Sequence, residues 1–180
     1  MSQRYEIRLS GSGGQGMITA GVILAEAAGV YDGKNVVQSQ SYGPEARGGA
    51  SKAEVIISDQ EIHFIKATAI DILLAMTQEA WDKYSADLKP QGVAVVDSFY
   101  VKEVDRPGVY KLPLSEKARK EVGIEMVANV IALAAIAGIT GVVSRQALEK
   151  SLMSRIPKGT EDKNRQALEI GFQLAAAEVK

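Results

Sequence analysis

The sequence predicts an α/β protein: a mostly parallel sheet with helices on its faces, a hairpin addition to the sheet, and further helices toward the C-terminus. Three observations predict this fold. Tyr5–Gly29 has the pattern of a strand, a glycine-rich loop and a helix, in that order. Two apolar runs, Ile70–Met76 and Gly92–Val96, have the length and composition of buried strands. The length of 180 residues suits one α/β domain, so we expect residues 1–180 to form a single domain.

The glycine-rich loop is the stretch most typical of anion binding. Apolar and charged residues alternate over Tyr5–Leu9, as in a strand, and a helical face begins at Ile18. Between them Gly11, Gly13 and Gly16 fit G-x-G-x-x-G, the phosphate-binding pattern of Rossmann-like folds. Backbone N–H groups of such a loop and of the helix start attract phosphate. The alternative is a tight turn that binds nothing. The predicted cofactor-binding residues are Gly11, Ser12, Gly13, Gly14, Gln15 and Gly16.

A nicotinamide dinucleotide is disfavoured as the ligand of this loop. Proteins that bind NAD in this way usually carry an Asp or Glu about 20 residues further on, at the end of the second strand, to hold the ribose. Here the second predicted strand, Val36–Ser41, contains no acid, and Asp32 lies in the turn before it. The loop is therefore predicted to face a phosphate without the rest of an NAD site.

A second unusual stretch, Ser41–Gly49, follows that strand. Pro44 fixes its own φ and restricts Gly43 before it, and two further glycines end the stretch. Parallel strands joined by a helix end at the same edge of a sheet, so this stretch should meet the Gly11–Gly16 loop in one crevice. The alternative is a surface loop whose charges face water. The residues predicted at a partner or active-site interface are Ser41, Tyr42, Gly43, Pro44, Glu45, Arg47, Gly48 and Gly49.

Apolar patterns place the remaining elements in chain order. The predicted strands are Ser51–Ser58, Glu61–Ile65 as the second arm of a hairpin, and Val109–Leu112. The predicted helices are Thr77–Leu88 (ended by Pro90–Gly92), Leu114–Glu121, Met126–Ala137, Arg145–Ser154 and Glu161–Val179.

Four single residues have predicted structural roles. Trp81 should fill the core, and Asp97 should cap a turn or helix after a strand. Ser144 should cap the helix that begins at Arg145. Asn129 lies in an almost wholly apolar helix, so its amide must find a partner, and we expect it to tie down a nearby loop.

The composition excludes several kinds of chemistry for this chain alone. It has no cysteine, so it offers no thiol nucleophile and none of the usual ligands of iron–sulfur clusters. Its one histidine, His63, is expected on a strand facing solvent or a neighbour. We therefore predict no catalytic residue and no metal site.

Charge and hydropathy exclude two kinds of partner. The 21 Lys and Arg against 22 acids leave no basic surface for nucleic acid and no polybasic membrane segment. The longest apolar stretch, Met126–Val143, is too short and too interrupted by polar residues and glycines to span a membrane. Because Met1–Arg4 leads directly into a strand, no signal peptide is expected. A cytoplasmic location is expected.

The two motifs together resemble the gamma subunit of the 2-oxoacid:ferredoxin oxidoreductases. GSGGQG at Gly11–Gly16 and SYGPEARGG at Ser41–Gly49, with the flanking Gly21–Ala28, Val36–Ser58 and Asp71–Tyr84, are most similar to the 2-oxoglutarate type. Pyruvate and branched-chain relatives share the glycine loop. The resemblance runs over essentially the whole chain and implies a pyruvate/ketoisovalerate oxidoreductase gamma-type domain.

The resemblance implies a subunit that is inactive alone. The complex converts 2-oxoglutarate, coenzyme A (CoA) and oxidised ferredoxin into succinyl-CoA, CO2 and reduced ferredoxin. Thiamine diphosphate, Mg and the iron–sulfur clusters belong to partner subunits, namely alpha, beta and, in assemblies that have one, delta; ferredoxin is an indirect partner. CoA is a shared substrate whose pocket this domain helps to form. The alternatives are a pyruvate or branched-chain gamma subunit, a free-standing NAD or FAD oxidoreductase, and a scaffold with an empty loop.

Overall fold

A computed structural model describes residues 3–41 and 50–179 and contains a six-stranded sheet. The strands are β1 (Arg4–Ser12), β2 (Asn35–Gln40), β3 (Ala50–Ser58), β4 (Ile70–Ala75), β5 (Leu88–Asp97) and β6 (Tyr110–Leu112). Their order across the sheet is β2-β3-β1-β4-β5-β6. β1, β4, β5 and β6 are parallel to one another, whereas β3 runs antiparallel to both β1 and β2. The prediction of a mostly parallel sheet is confirmed.

Helices cover both faces of the sheet. They are α1 (Met17–Glu26), α2 (Gln78–Tyr84), α3 (Leu114–Lys117), α4 (Ala128–Thr140), α5 (Arg145–Arg155) and α6 (Glu161–Glu178). α1 and α3 each continue into a π-helical turn, at Ala27–Tyr31 and Ala118–Val122. All helices except α2 share one apolar core with the sheet, and α2 packs in a second core on the opposite face.

The central strand β1 has an apolar face and a polar face, and both are buried. Ile7 and Leu9 join the larger core. Arg8 points to the other face and is only 4% exposed. Its guanidinium lies 2.8 Å from the carboxylate of Glu54 on β3 and also pairs with Asp87. Because a buried charge is costly unless it is paired, these two carboxylates are what make this position acceptable for arginine.

The predicted second arm of a hairpin, Glu61–Ile65, is wrong, since this stretch forms no strand. A hairpin would need a free edge of β3, but β1 and β2 occupy both edges. The segment is anchored further along instead, where a carboxylate oxygen of Glu6 accepts hydrogen bonds from the N–H groups of Thr68 at 2.7 Å and Ala69 at 3.0 Å. The antiparallel addition to the sheet is therefore the β2–β3 pair.

The predicted helix end around Pro90 is also wrong. β5 already begins at Leu88 and includes Pro90. Ile70 of β4 lies opposite Leu88, whereas Ile72 lies opposite Val93, so the pairing shifts between these points. Proline has no N–H to donate to a ladder, and it is tolerated in a strand where the ladder is interrupted in this way.

The pair α4 and α6 forms the centre of the larger core. α4 is buried over most of its length, and α6 approaches it at Gly171. A Cβ added to Gly171 would lie 2.5 Å from Cβ of Ala134 and would also collide with the carbonyl oxygen of Ile131. Within residues 3–41 and 50–179, no helix has both the length and the apolar character that crossing a membrane requires.

Replacing Gly171 with alanine should lower the free energy of unfolding by about 1–3 kcal/mol, because the new methyl group overpacks the α4–α6 contact. The measurement is urea unfolding of the purified chain followed by circular dichroism. Gly29→Ala is the matched control, since its Cβ would meet Val36 at 3.5 Å, an ordinary contact. Alanine favours helix over glycine, so the control should lose no stability. Equal destabilisation by both changes would contradict the close approach of α6 to α4.

Glu6→Gln should lower the free energy of unfolding at neutral pH. The decrease should be much smaller in acid. Burial alone would raise the pKa of Glu6, but the N–H groups of Ala69 and Thr68 and the Arg4 guanidinium lower this pKa on balance. The carboxylate therefore adds stability above its unfolded pKa of about 4.3, and this stability is lost as the pH falls through the lower folded pKa. Urea unfolding from about pH 7 to about pH 2 measures this. The exposed Glu61→Gln is the control, and a loss independent of pH would contradict the explanation.

Candidate functional site

The candidate site is a cleft at the carboxyl ends of β1 and β4. These strands are parallel neighbours, yet β1 leads into α1 on one face of the sheet and β4 leads into α2 on the other. A crevice forms where connections diverge in this way, and open α/β sheets bind ligands there. The cleft has a volume of about 420 Å³. Its lining residues are Ser12, Gly13, Gly14, Gln15, Met76, Thr77, Tyr100, Ser115, Glu125, Met126 and Ala128.

The glycine loop forms one wall of the cleft and is closed by its own glutamine. The Gln15 side-chain oxygen accepts a hydrogen bond from the N–H of Ser12 at 2.8 Å, and the Gln15 N–H donates to the carbonyl of Ser12 at 3.3 Å. A Cβ on Gly11 would overlap that carboxamide. Gly14 has a φ of 88°, which side chains rarely adopt. The loop conformation therefore depends on glycine at these two positions.

Gly16 joins the loop to α4. It is the N-cap of α1, with a φ of 76°, and its carbonyl accepts a hydrogen bond from the Asn129 side chain at 3.4 Å. A Cβ on Gly16 would lie 2.6 Å from the same amide nitrogen. The prediction that Asn129 ties down a nearby loop is confirmed, and the loop is the glycine loop itself.

The start of α1 is suited to an anion. No side chain caps it and no acid lies in its first turn, and the same is true of α4. Its first N–H groups thus carry the partial positive charge of an unpaired helix start. Among the described residues that line the cleft, Glu125 is the only charged one. An anion in this cleft would therefore be held by backbone donors rather than by a cationic side chain from this set.

The opposite wall is a polar and aromatic cluster. The Tyr100 hydroxyl donates a hydrogen bond to Glu125 at 2.7 Å, and Glu125 pairs with Arg119 at 3.4 Å. The hydrogen bond to Glu125 raises the pKa of Tyr100, with burial and the carboxylate charge acting in the same direction. The Arg119 guanidinium also lies over the ring of Phe99, 4.0 Å from its centroid. The cluster fixes the orientation of the Tyr100 side chain at the cleft wall.

Gln78, the first residue of α2, fixes the segment that carries Tyr100. Its side-chain oxygen accepts hydrogen bonds from the N–H groups of Lys102 at 2.9 Å and Glu103 at 3.0 Å. Its side-chain nitrogen donates to the carbonyl of Glu103 at 2.8 Å. These three bonds tie the segment after β5 to the end of β4, and they position one wall of the cleft relative to the other.

Asp97 anchors the same segment from the end of β5. It is fully buried, and its carboxylate accepts hydrogen bonds from the N–H groups of Phe99 at 3.2 Å and Ser115 at 3.3 Å. Its prediction as a cap is confirmed, as is that of Trp81 as a core residue. Sequence analysis assigned no role to Tyr100 and Glu125, because their segments meet only through the pairing of distant strands. The sequence does place Gln78 and Asp97 just after two predicted strands, and these strands, β4 and β5, are parallel neighbours.

The second predicted motif can be located only by its flanks. Ser41 donates its N–H to the carbonyl of Lys52 at 3.3 Å, and Ala50 pairs with Ser12 at the end of β1. Both flanks thus lie at the same end of the sheet as the glycine loop, beside the carboxyl end of β1. The residues Tyr42, Gly43, Pro44, Glu45, Arg47, Gly48 and Gly49 lie outside the described residues, so their predicted interface role stays a prediction.

His63 is exposed, but not on a strand. In the part of the chain that the structure describes, no group of three or more His, Asp or Glu side chains is arranged to hold a metal ion.

Comparison with known proteins gives consistent matches over nearly the whole chain. A family model described as pyruvate ferredoxin/flavodoxin oxidoreductase matches residues 6–174. The 2-oxoglutarate synthase subunit KorC of Methanocaldococcus jannaschii is 49% identical over 179 residues, which cover 97% of this chain and 96% of that protein. The pyruvate synthase subunit PorC of Methanothermobacter marburgensis is 31% identical over 172 residues, covering 93% of this chain and 96% of that protein.

Solved structures agree with the sequence matches. The gamma subunit of a keto/oxoacid ferredoxin oxidoreductase from Geobacter sulfurreducens has a TM-score of 0.89 and 55% identity, covering 97% of this chain and 98% of that one. A 2-oxoglutarate:ferredoxin oxidoreductase from Magnetococcus marinus, with 2-oxoglutarate, coenzyme A and succinyl-CoA bound, has a TM-score of 0.86 and 25% identity. It covers 97% of this chain, which corresponds to 31% of that longer chain. The chain described here belongs to the pyruvate ferredoxin/flavodoxin oxidoreductase family and has the fold of its gamma subunits.

Proposed function

We propose that this chain is the gamma subunit of a 2-oxoacid:ferredoxin oxidoreductase that uses 2-oxoglutarate, and that its cleft forms part of the CoA pocket. The complex would convert 2-oxoglutarate, CoA and oxidised ferredoxin into succinyl-CoA, CO2 and reduced ferredoxin. One observation carries the proposal: residues 12–15 of the glycine loop line the cleft at the carboxyl ends of β1 and β4. Identity of 49% to a 2-oxoglutarate synthase subunit, against 31% to a pyruvate synthase subunit, supports 2-oxoglutarate.

In this proposal the chain binds and orients CoA but performs no covalent chemistry. Backbone N–H groups of the glycine loop hold a phosphate group, and the wall that includes Tyr100 closes the other side. The chain has no cysteine to ligate an iron–sulfur cluster. The proposal therefore leaves the clusters, thiamine diphosphate and Mg to the alpha and beta subunits and to a delta subunit where one exists, as the family resemblance implies. A cytoplasmic location remains the prediction made from the sequence.

A free-standing NAD enzyme is a weaker explanation. In NAD-binding folds of this type the second strand lies next to the first, so that its terminal acid reaches the ribose. Here β3 lies between β1 and β2, and β2 ends without an acid. Both the position and the residue needed for the ribose are missing from the described strands.

Gly13→Asp should raise KM for CoA about tenfold in the assembled enzyme, because a carboxylate at the cleft would repel phosphate by about 1.4 kcal/mol. KM for 2-oxoglutarate should stay unchanged. Gly13→Asn is the matched control, with the same size and no charge. Steady-state kinetics at low and high salt measure the effect, which should shrink as salt screens the added charge. An unchanged KM for CoA in Gly13→Asp would favour a scaffold with an empty loop.

Gln78→Ala should raise KM for CoA about threefold to tenfold, because it releases the segment that carries Tyr100. The expected loss of binding free energy is that of one lost hydrogen bond, about 0.5–1.5 kcal/mol. Gln78→Glu keeps the acceptor for the N–H groups of Lys102 and Glu103 and should recover part of the affinity. Asp82→Ala is the control, since it removes only the 2.9 Å bond from Gln78 to Asp82. The same steady-state assay applies, and equal effects of Gln78→Ala and Asp82→Ala would contradict a positioning role.

A further inference from the structure

Large apolar side chains remain exposed beside the mouth of the cleft. Phe99, Tyr100, Ile124 and Met126 are all exposed, and Met126 is 58% exposed. With Arg119 they form a surface that we call the rim. Contiguous exposed apolar surface on a globular protein marks an interaction site more often than chance. Aromatic residues, methionine and arginine are also the types enriched in protein interfaces.

The rim is continuous rather than a set of isolated side chains. The rings of Phe99 and Tyr100 meet edge to face with centroids 4.8 Å apart, and Arg119 stacks on Phe99. Tyr100 and Met126 line the cleft together. Met126 and Ile124 also line a second concavity, a groove of about 270 Å³. The rim therefore connects the cleft to this groove.

The groove is apolar and concave. It is bounded by α1, α4, α5 and α6, and its apolar lining includes Ile23, Val127, Val130, Leu152 and Ile156. The two basic side chains beside it already have partners, since Arg155 pairs with Glu26 and Lys163 donates to the carbonyl of Val122 at 2.9 Å. An uncharged apolar side chain of a partner fits such a pocket better than a charged one, and anchors of this kind dominate the binding energy of interfaces.

The rim is held in place before any partner arrives. The π-helical turn after α3 ends at Gly123, which has a φ of 82° and reverses the chain toward Ile124. The bonds from Tyr100 and Arg119 to Glu125 then fix the segment that precedes α4. A surface that is ordered in advance loses less conformational entropy on binding.

We propose that the rim and the adjoining groove dock another subunit of the same oxidoreductase, the one that carries the reactive centre, through an apolar side chain inserted into the groove. This inference rests on the proposed function, because a CoA pocket without catalytic groups must be completed by the chain that reacts. The rim adjoins the cleft, so a subunit docked there would close it. In the Magnetococcus marinus enzyme the same fold occupies 31% of a longer chain, so the rest of that polypeptide is already attached to it.

A second exposed apolar pair offers a matched control. Phe64 is 55% exposed, close to the value for Met126, and its neighbour Ile65 is exposed as well. The carbonyl of Phe64 accepts a hydrogen bond from Arg4, at the start of β1 and thus at the sheet edge opposite the cleft. An equally exposed apolar residue is therefore available far from the rim.

The test is co-expression of all subunits with either Met126→Lys or Phe64→Lys in this chain. Native mass spectrometry and a dilution series measure how tightly the chain is held. Met126→Lys should weaken its association at least tenfold, whereas Phe64→Lys should leave it within twofold of wild type. Ile124→Lys, on the same rim, replaces Met126→Lys if the latter changes the unfolding midpoint of the isolated chain. Wild-type association of the rim variant, or an equal loss in Phe64→Lys, overturns the inference.

The same samples separate this inference from the proposed function. Normal assembly of Met126→Lys with a raised KM for CoA would overturn docking at the rim and leave the CoA pocket intact. Loss of assembly in Met126→Lys, with an unchanged KM for CoA in Gly13→Asp, would keep the docking surface and overturn the CoA pocket.

Discussion

The close contact between Asn129 and Gly16 is the constraint on which the candidate site depends. It joins the first residue before α1 to the first turn of α4, and it leaves no room for a side chain at Gly16. α4 is in turn fixed by α6, which approaches its backbone at Gly171. The position of the glycine loop is therefore set by the packing of the larger core. The shape of the cleft thus depends on α4 and α6, although these helices contribute little of its lining.

The electrostatics of the cleft follow from this arrangement. Backbone dipoles act over a short range and only in the correct geometry, whereas lysine and arginine attract anions from a distance. The chain has a net charge of -1 and, among its described cleft residues, no cation. Recognition of a phosphate by the described part of the site therefore depends on the loop conformation. This explains why Gln15 and Asn129 both serve to hold that conformation.

Local chemistry and chain topology differ in how well the sequence predicts them. The glycine loop and Asn129 were predictable from local sequence. Positive φ values require glycine, and an asparagine within an apolar helix must find a hydrogen-bond partner. The failures at Glu61–Ile65 and Pro90 come from strand pairing, since an occupied edge of β3 and a bulge against β4 depend on distant residues. The wall with Tyr100 was missed for the same reason: its segment and α2 meet only once β4 and β5 lie side by side.

The cleft and the rim together imply that ligand binding and assembly are linked. If the proposed CoA pocket is closed by the proposed partner at the rim, the assembled chain should hold CoA more tightly than the free chain does. Thermodynamic reciprocity then requires CoA to strengthen the association of the subunits by the same factor. The bonds of Tyr100 and Arg119 to Glu125 would transmit this coupling, because Tyr100 lines the cleft while Arg119 stacks on Phe99 within the rim. In this proposal one chain binds CoA and another carries the reactive centre. The site would then be complete only in the assembled enzyme.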